Sequence, residues 1–413
     1  EISCSLVGSE MCIRDRVKLG IIGLGNMGSG HCNNILAGLT PEIKLTAAAD
    51  LRQSRRDWAK ETLPDDVVLF ENGDQLIESG LCDAVIIATP HYEHPRLAIL
   101  AFEHGLHVMS EKPAGVYTKQ VREMNEAAIR SGKVFGMMFN QRTNCVYRKM
   151  HEMVQSGKYG QIKRVNWIIT DWYRTQAYYN SGGWRATWDG EGGGVLLNQC
   201  PHNLDLLQWI CGLPCRVRAF CHNGKWHQIE VEDDVTAYLE FPNGATGVFV
   251  TTTADSPGTN RFEITLERGK LVAEHDKLTF FELEQSERDF CFTATGGFEQ
   301  PAGHEVTIEL DGKNPQHVGV LNAFAGAILR GEPLVADGTE GIRGLELSNA
   351  MHLSSWTDQT VTLPIDEALF LEKLNEHRKV SKVKTEVTEA TFDTSDSYGS
   401  KVSDDTDKGG TNV

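Results

Sequence analysis

The chain has 413 residues, of which 40% are hydrophobic and 23% charged, so it is long enough for two domains and apolar enough to form a core. Its 57 acidic residues outnumber 40 basic residues and give a net charge of −17, which argues against binding to nucleic acid or to an anionic membrane surface. No run of 18 apolar residues could span a bilayer, and the ten scattered cysteines without a CxxC pair are typical of reduced thiols in a cytoplasmic protein.

The two ends of the chain are expected to carry no chemistry. Residues 1–16 lack the apolar segment of a signal peptide and are interpreted as a non-native or disordered leader. Residues 385–413 hold six Thr, four Ser and seven Asp or Glu against two Lys, which predicts a disordered acidic tail. We expect the rest to form two domains, at residues 17–140 and 141–384.

Apolar runs and helical segments alternate along the first half of the chain. The predicted strands are Val17–Ile22, Lys44–Ala49, Ala84–Ala88, His107–Ser110 and Val134–Phe139, and the predicted helices include Gln75–Ser79, Pro95–His104 and Lys119–Ser131. This alternation predicts an α/β fold with a doubly wound parallel sheet. Ligands of such sheets bind beyond the carboxyl ends of the strands, so the residues that follow each run are candidate site residues.

A GxGxxG motif follows the first run and precedes a helix, and its residues are Gly23, Leu24, Gly25, Asn26, Met27 and Gly28. In this context the glycines predict a tight turn whose backbone N–H groups approach a dinucleotide pyrophosphate. Asp50 ends the second run, where a carboxylate accepts hydrogen bonds from ribose hydroxyls and repels a 2′-phosphate. NAD is therefore predicted over NADP, although Arg52, Arg55 and Arg56 could soften that preference.

Four further patches resemble the glucose–fructose oxidoreductase, inositol dehydrogenase and rhizopine-catabolism oxidoreductases, the Gfo/Idh/MocA family. The patches are Ala88-Thr89-Pro90 with His94, Glu111-Lys112-Pro113, the stretch GGGVLLNQCPHNLD from Gly192 to Asp205, and Glu232-Asp233-Asp234 with Phe241–Gly244. The resemblance runs from about Val17 to about Arg378. It implies an N-terminal Rossmann domain and a C-terminal α/β domain with a large open, mainly antiparallel sheet that often mediates oligomerisation. It also implies cofactor contacts from the first two patches and a Lys112–Pro113 bond that is typically cis.

Lys112 and His202 are the main catalytic candidates. The ammonium of Lys112 can hydrogen-bond a substrate hydroxyl and stabilise a developing alkoxide, and the imidazole of His202 titrates near neutrality, as suits a general base. Asp205 could orient that imidazole or could cap the helix instead. Asn198 stands where many dehydrogenases of the family carry Asp, and it can position a substrate hydroxyl although it cannot ionise.

The segment Trp167–Trp188 holds four of the eight tryptophans, together with tyrosines, glycines and Arg185. Aromatic faces that stack on sugar rings are one interpretation, and hydrophobic packing between domains or subunits is the other. The candidate substrate contacts are Arg142, Trp172, Tyr173, Trp184, Arg185, Asn198 and His202. Asn140, at the end of the last predicted strand, is a further cofactor candidate, and no metal site is predicted.

Together these features predict an NAD-dependent dehydrogenase that oxidises or reduces a secondary alcohol of a sugar, glycoside or cyclitol. Two alternatives remain, a sugar sensor that retains the dinucleotide without redox chemistry, and an enzyme in which bound NAD cycles through a transient ketone to permit elimination or epimerisation. The runs Val235–Phe241 and Ala245–Thr251 predict sheet strands. Through that sheet we expect a homodimer or homotetramer.

Overall fold

A computed structural model of the chain describes residues 16–382, 384 and 387. Apart from Arg16 and Val387, the predicted leader and the predicted acidic tail lie outside the described residues. No helix in the described part of the chain is long and apolar enough to cross a membrane.

The first half of the described chain forms a six-stranded parallel sheet with the order β3-β2-β1-β4-β5-β6. Its strands are β1 (Val17–Ile22), β2 (Ile43–Ala49), β3 (Val68–Phe70), β4 (Ala84–Ile87), β5 (His107–Ser110) and β6 (Phe135–Met137). The intervening helices are α1 (Asn26–Leu36), α2 (Gln53–Thr62), α3 (Gly73–Glu78), α4 (Glu93–Glu103) and α5 (Thr118–Ser131). The predicted Rossmann sheet is confirmed, and the strand order aligns the carboxyl ends of β1, β2, β4 and β5 along one edge.

Two details of this sheet differ from the sequence expectation. Strand β3 is not predicted, because it is only three residues long and none of them is buried. Strand β6 ends at Met137 rather than at Phe139, since the chain turns there into a 3₁₀ helix at Asn140–Thr143.

The second half forms a nine-stranded sheet with the order β14-β13-β12-β11-β7-β10-β9-β8-β15. Its strands are β7 (Ile162–Ile169), β8 (Arg216–Asn223), β9 (Glu232–Glu240), β10 (Thr246–Thr252), β11 (Asn260–Leu266), β12 (Gly269–Glu274), β13 (Lys277–Leu283), β14 (Gly303–Thr307) and β15 (Val361–Thr362). The helices are α6 (Cys145–Gln155), α7 (Gln176–Asn180), α8 (Pro201–Cys211), α9 (Glu287–Thr293), α10 (Gln316–Arg330), α11 (Gly341–Thr357) and α12 (Glu367–Val380). Every pairing is antiparallel except that of β7 with β10, which confirms the predicted large, mainly antiparallel sheet.

One face of the large sheet is buried under helices α6 and α11. On this face Trp167 of β7 stacks on Phe262 of β11, with ring centroids 4.1 Å apart, and both rings are fully buried. The strand alternation explains this, because every second residue of β7 points to the covered face. Trp167 therefore packs within the second sheet domain, which is neither the stacking on a sugar ring nor the packing between domains or subunits that the sequence suggested.

Helix α10 follows β14 of the large sheet in sequence but packs against the first sheet. Its apolar residues Val320, Leu321 and Phe324 share a buried cluster with Leu19 and Ile21 of β1. The predicted domain boundary at residues 140 and 141 therefore assigns α10 to the second domain, although this helix packs on the sheet of the first. The physical reason is that the apolar side of α10 is buried on the first sheet, a pairing that sequence order does not reveal.

The other face of the large sheet exposes apolar side chains in its centre. Phe220, Thr236, Val250 and Ile168 are successive cross-strand neighbours, and Phe220 and Ile168 are 52% and 41% exposed. An exposed patch of mainly apolar side chains on a sheet, here with Thr236 among them, is typical of a protein–protein interface.

We predict that the protein is a homodimer or homotetramer through this face. Ile168→Glu places a charge in the patch and is expected to shift the molar mass from light scattering towards that of a monomer. Ile129→Glu, at a residue 72% exposed on α5, is the control and should leave the assembly unchanged. A wild-type protein that is monomeric over a wide concentration range would contradict the prediction.

Candidate active site

The turn after β1 has the geometry of a phosphate-binding loop. Gly23 has φ +92°, and a Cβ there would lie 2.5 Å from Ala88 O, while a Cβ at Gly28 would lie 1.8 Å from Gly23 O. At Gly25, by contrast, the nearest atom to an added Cβ is the Arg52 guanidinium at 4.0 Å, so open space lies beside the loop. Helix α1 begins at Asn26, and its first N–H groups lack partners within the helix. The loop therefore fits a dinucleotide pyrophosphate.

Asp50 lies directly beside this loop at the end of β2. Its Oδ2 accepts a hydrogen bond from Leu24 N at 2.7 Å, and its Oδ1 accepts one from Arg52 N at 2.9 Å. Arg55 and Arg56 donate to the carbonyl oxygens of Leu24 and Asp50. The side chain of Arg52 is half-exposed and donates to neither of these carbonyl oxygens. Its Nε lies 3.5 Å from Asp50 Oδ1, so Arg52 is positioned to counter the charge of Asp50.

We predict that Asp50→Ser narrows the preference for NAD over NADP. A carboxylate close to a 2′-phosphate costs on the order of a few kcal/mol in a partly desolvated site, and serine removes that charge while keeping a hydroxyl acceptor. Dissociation constants of NADH and NADPH from fluorescence titration measure the change. Asp57→Ser on exposed α2 is the control, and tighter binding of NADPH than of NADH by the wild type would contradict the interpretation of Asp50.

The turns after β4 and β5 complete this edge. His94 is 1% exposed, and its ring nitrogens lie 2.7 Å from Thr89 O and 2.8 Å from Pro113 O. His94 therefore joins the Ala88-Thr89-Pro90 turn to the Lys112-Pro113 turn, whose peptide bond is cis, instead of presenting its ring to a cofactor. This corrects the expectation that His94 contacts the cofactor directly. Its place in the motif was equally consistent with a structural role that links the two turns.

Asn140 lies buried just beyond β6. Its Nδ2 donates to Gln316 Oε1 at 2.6 Å, while no described residue bonds its buried Oδ1. Gln316 begins α10, so the helix that packs on the first sheet also holds Asn140. The predicted role of Asn140 at the cofactor stays a prediction.

Glu111, which precedes the candidate lysine, is held by a histidine that sequence analysis missed. His31 Nε2 of α1 lies 2.7 Å from Glu111 Oε1, and both side chains are buried. Burial raises the pKa of the Glu111 carboxyl, but the hydrogen bond and charge of His31 outweigh it and lower the pKa to about 2. The other oxygen, Oε2, accepts from Lys112 N at 3.2 Å, so Glu111 anchors the backbone of the candidate lysine.

Lys112 projects from this turn towards the second domain. Its Nζ donates to Asn198 O at 2.8 Å. Burial lowers the pKa of Lys112, the charge of Glu111 opposes this shift, and the charge of Arg185 adds to it. The structure therefore brings together Lys112 and Asn198, which are 86 residues apart in the chain.

His202 lies in the first turn of α8, close to Lys112. His202 is 8% exposed, and its Nδ1 is buried with no hydrogen-bond partner in the described part of the chain. Burial, followed by the charge of Lys112, lowers the pKa of His202 well below its usual 6.5. The imidazole is therefore neutral at pH 7 and can accept a proton.

The turn before α8 is braced by a fully buried carboxylate. Glu232 of β9 accepts hydrogen bonds from Gly194 N at 2.9 Å and from Leu196 N at 3.0 Å. Asn198 N in turn donates to Gly194 O at 2.9 Å. This explains how the glycine-rich stretch fixes the backbone of Asn198 and the start of α8.

Asp205 neither orients His202 nor caps the helix. Its carboxylate forms two hydrogen bonds with Arg142, at 2.8 Å from Nε and 2.7 Å from the terminal nitrogen, and both residues are buried. The remaining nitrogen of Arg142 donates to Glu340 at 2.6 Å. Arg142 is thereby occupied by two carboxylates, so the expectation that it binds substrate is also wrong. A buried guanidinium needs such partners, and these partners are distant in sequence.

The aromatic segment divides into packing residues and site residues. Trp172 is 5% exposed, and Trp188 is 2% exposed with its ring against Trp356, so both rings pack within the protein. The expectation that Trp172 contacts the substrate is therefore corrected. The exposed fraction of Tyr173 is 52%, and no described contact joins it to Lys112 or His202.

Arg185 and Trp184 lie on the site side of this segment. The Arg185 guanidinium lies 4.5 Å from the Tyr178 ring centroid and 4.7 Å from that of Trp184, and it donates to Tyr178 Oη at 2.8 Å. Gln199, next to Asn198, also donates to Tyr178 Oη at 3.2 Å. Tyr178 and Gln199 thus join the predicted Arg185 and Asn198, although sequence analysis did not single out either residue.

Glu191 is the acidic residue of the site that sequence analysis missed. It is 1% exposed, accepts a hydrogen bond from Asn198 Nδ2, and lies 3.9 Å from the Arg185 guanidinium. Burial raises the pKa of the Glu191 carboxyl, and Arg185 opposes that shift. Its position directly before the three glycines was the one available signal.

The described residues form no cluster for a metal ion, and Cys200 beside the site motif lacks the features of a nucleophile. Among residues 16–382, 384 and 387, no group of three or more His, Cys, Asp or Glu could hold a metal ion. Burial raises the pKa of the Cys200 thiol to about 12, and its Sγ lies 3.0 Å from Thr251 Oγ1, so Cys200 is a structural thiol.

Two family profiles match the chain, and they lie on the two sheets. Residues 17–139 match the oxidoreductase family with an NAD-binding Rossmann fold, and residues 147–272 match the C-terminal domain of the GFO/IDH/MocA family. Among solved structures, the WlbA dehydrogenase of Bordetella pertussis, in complex with NADH and UDP-GlcNAcA, superposes with a TM-score of 0.71 at 24% identity. That superposition covers 85% of this chain and 100% of the other.

Two curated relatives show how far the similarity extends. A 1-carboxy-3-chloro-3,4-dihydroxycyclohexa-1,5-diene dehydrogenase of Comamonas testosteroni is 26% identical over 235 residues, which is 55% of this chain and 56% of that protein. The myo-inositol 2-dehydrogenase of Thermotoga maritima is 23% identical over 353 residues, which is 84% of this chain and 98% of that protein. With its NAD-binding Rossmann domain, its Glu-Lys-Pro turn and its second sheet domain, the chain belongs to the Gfo/Idh/MocA family of oxidoreductases.

Proposed function

We propose that the protein is an NAD-dependent dehydrogenase that oxidises or reduces a secondary alcohol of a sugar, glycoside or cyclitol. One observation carries the proposal. The half-buried ammonium of Lys112 and the neutral imidazole of His202 lie together beyond the carboxyl ends of the strands of an NAD-binding sheet. NAD, when bound at the glycine loop, supplies the hydride acceptor for such an alcohol.

In this proposal Lys112 binds the oxygen of the reacting alcohol. Its Nζ uses one hydrogen bond for Asn198 O, and an ammonium has two further N–H donors to offer. Glu111, braced by His31, holds the lysine backbone, so the donors are oriented before substrate arrives. As the C–H bond breaks, negative charge grows on the alcohol oxygen and the fixed ammonium stabilises it.

His202 accepts the hydroxyl proton in the direction of oxidation. Because Nδ1 is enclosed, we assign Nε2 as the accepting atom. The neutral ring becomes an imidazolium next to Lys112, and the repulsion between the two cations favours onward release of the proton. In the direction of reduction the same atom returns the proton to the new alkoxide.

The substrate class rests on polar groups and on the relatives. Arg185, Gln199 and Asn198 form a polar rim beside Lys112 that suits a ligand with several hydroxyl groups. Inositol is a cyclitol, and the dihydroxycyclohexadiene of the other relative likewise carries hydroxyl groups on a six-membered ring.

A panel of sugars, glycosides and inositols with NAD and with NADP, monitored by the absorbance of the reduced nicotinamide, tests the proposal. We expect NAD reduction with at least one cyclic polyol, and loss of that activity in the Lys112→Met, His202→Ala double variant. Tight NADH binding without turnover of any alcohol would instead favour the sugar sensor.

A further inference from the structure

Glu191 is a buried carboxylate at the centre of the site for which the proposed mechanism has no role. Its Oε2 accepts a hydrogen bond from Ala186 N at 2.5 Å, and its Oε1 accepts one from Asn198 Nδ2. Both oxygens therefore face N–H donors, and Arg185 lies 3.9 Å from Oε1 with a compensating charge. These three contacts favour the ionised carboxylate and oppose the rise in the Glu191 pKa that burial causes.

This contact determines which end of the Asn198 amide is available. A carboxylate accepts hydrogen bonds only, so it selects the NH₂ group and turns Oδ1 away from itself. Asn198 is half-buried, and no described residue donates to its Oδ1. The main-chain oxygen of the same residue accepts a hydrogen bond from Lys112 Nζ at 2.8 Å, so Asn198 lies directly beside the candidate lysine.

We propose that Glu191 is a positioning residue that orients the Asn198 amide, so that Oδ1 accepts a hydrogen bond from a substrate hydroxyl beside the reacting one. The inference rests on the proposed dehydrogenase function and narrows its substrates to those with a second hydroxyl near the oxidised carbon. It also gives a reason for Asn rather than Asp at position 198, because an Asp carboxylate would meet the carboxylate of Glu191.

The isosteric variant Glu191→Gln inverts this arrangement. Its single oxygen can satisfy Ala186 N, and its NH₂ group then faces Asn198, which must turn its Oδ1 inward and present Nδ2 to the substrate. In this variant the Nδ2 donor of Asn198 faces a substrate hydroxyl that needs a hydrogen-bond acceptor. We expect this mismatch to lower kcat/KM on the order of 10- to 100-fold.

The double variant Glu191→Gln, Asn198→Asp restores the acceptor. The glutamine then donates to one oxygen of the new aspartate, and the other oxygen faces the substrate as Oδ1 does in the wild type. Asn198→Asp alone places two carboxylates in contact and is expected to lower both the melting temperature and kcat/KM. Rescue by the second substitution is the distinctive result, since a purely structural carboxylate would gain nothing from it.

The measurements are kcat and KM for the best alcohol of the panel, the dissociation constant of NADH, and the melting temperature of all four proteins. Glu346→Gln, at a half-buried carboxylate on α11 that accepts from Ile365 N, is the matched control and should change none of them. We expect NADH binding to stay within about twofold in Glu191→Gln, which separates an effect on substrate from misfolding.

Wild-type kinetics in Glu191→Gln, or a double variant no better than the poorer single variant, would overturn the inference. If the wild type turns over no alcohol, the proposed function fails instead. The melting temperatures then still decide whether Glu191 and Asn198 are coupled, and additive changes in the double variant would overturn the pairing.

Discussion

Replacing His202 with alanine is expected to lower kcat by about 100- to 10,000-fold, the span for loss of a positioned general base. The imidazole is buried beside Lys112, and its lowered pKa keeps it neutral and ready to accept a proton at pH 7. His202→Asn should behave like alanine, because the loss is one of basicity rather than of size. Steady-state kinetics with saturating NAD measure the effect, with His104→Ala on the exposed end of α4 as the control.

The pH profile gives an independent check on this role. A base must be unprotonated to act, so activity is lost as the pH falls through its pKa. Because burial and the charge of Lys112 lower that pKa, the acid limb of kcat/KM is expected below pH 6.5, and it should disappear in the residual activity of His202→Ala. An acid limb above pH 6.5 that survives this substitution would assign the base to another residue.

Replacing Lys112 with alanine is expected to lower kcat by about 100- to 1,000-fold, the scale for loss of one oriented partner of a transition-state charge. Lys112→Met should do the same while keeping the aliphatic volume. NADH binding should change little, because the glycine loop that holds the pyrophosphate is built from β1 and α1 and does not include this side chain. Lys119→Ala, on the exposed side of α5, is the control.

These two substitutions also separate the candidate functions. A sensor that only binds the dinucleotide and a sugar would keep its response when Lys112 and His202 are replaced one at a time. A dehydrogenase would lose turnover in both variants while it still binds NADH. Turnover that survives the loss of both residues would contradict the mechanism proposed for this site.

Much of the cofactor edge could be predicted from local patterns. Gly23, Gly25 and Gly28 directly follow an apolar run, and Asp50 ends the next one. Because parallel strands place their carboxyl ends on one edge, residues after separate runs meet in space without any further information. Lys112 and His202 were located by motifs, since each lies within a few residues of a distinctive turn.

Partners of buried charges were the part that sequence could not determine. Asp205 follows His202 by three residues, which suggested a pair, but the carboxylate binds Arg142 from a different segment. Glu191 and Asn198 both lie beside the glycine-rich turn, yet only the turn's folded path brings carboxylate and amide into contact. A charged side chain takes the partner that packing brings within reach, and sequence spacing constrains this only within a helix or strand.

The sequence by itself determined the fold class, the cofactor edge and the identity of the candidate catalytic lysine and histidine, because hydrophobic periodicity and glycine-dependent turns are local properties of the chain. Tertiary structure alone decided that α10 packs on the first sheet, that Arg142 is bound by two acidic residues, and that the buried carboxylate of Glu191 accepts a hydrogen bond from the Asn198 amide. Those outcomes depend on contacts between segments that are distant in the chain. A buried polar group has lost its hydrogen bonds to water, so it can bond only to the groups that folding packs beside it.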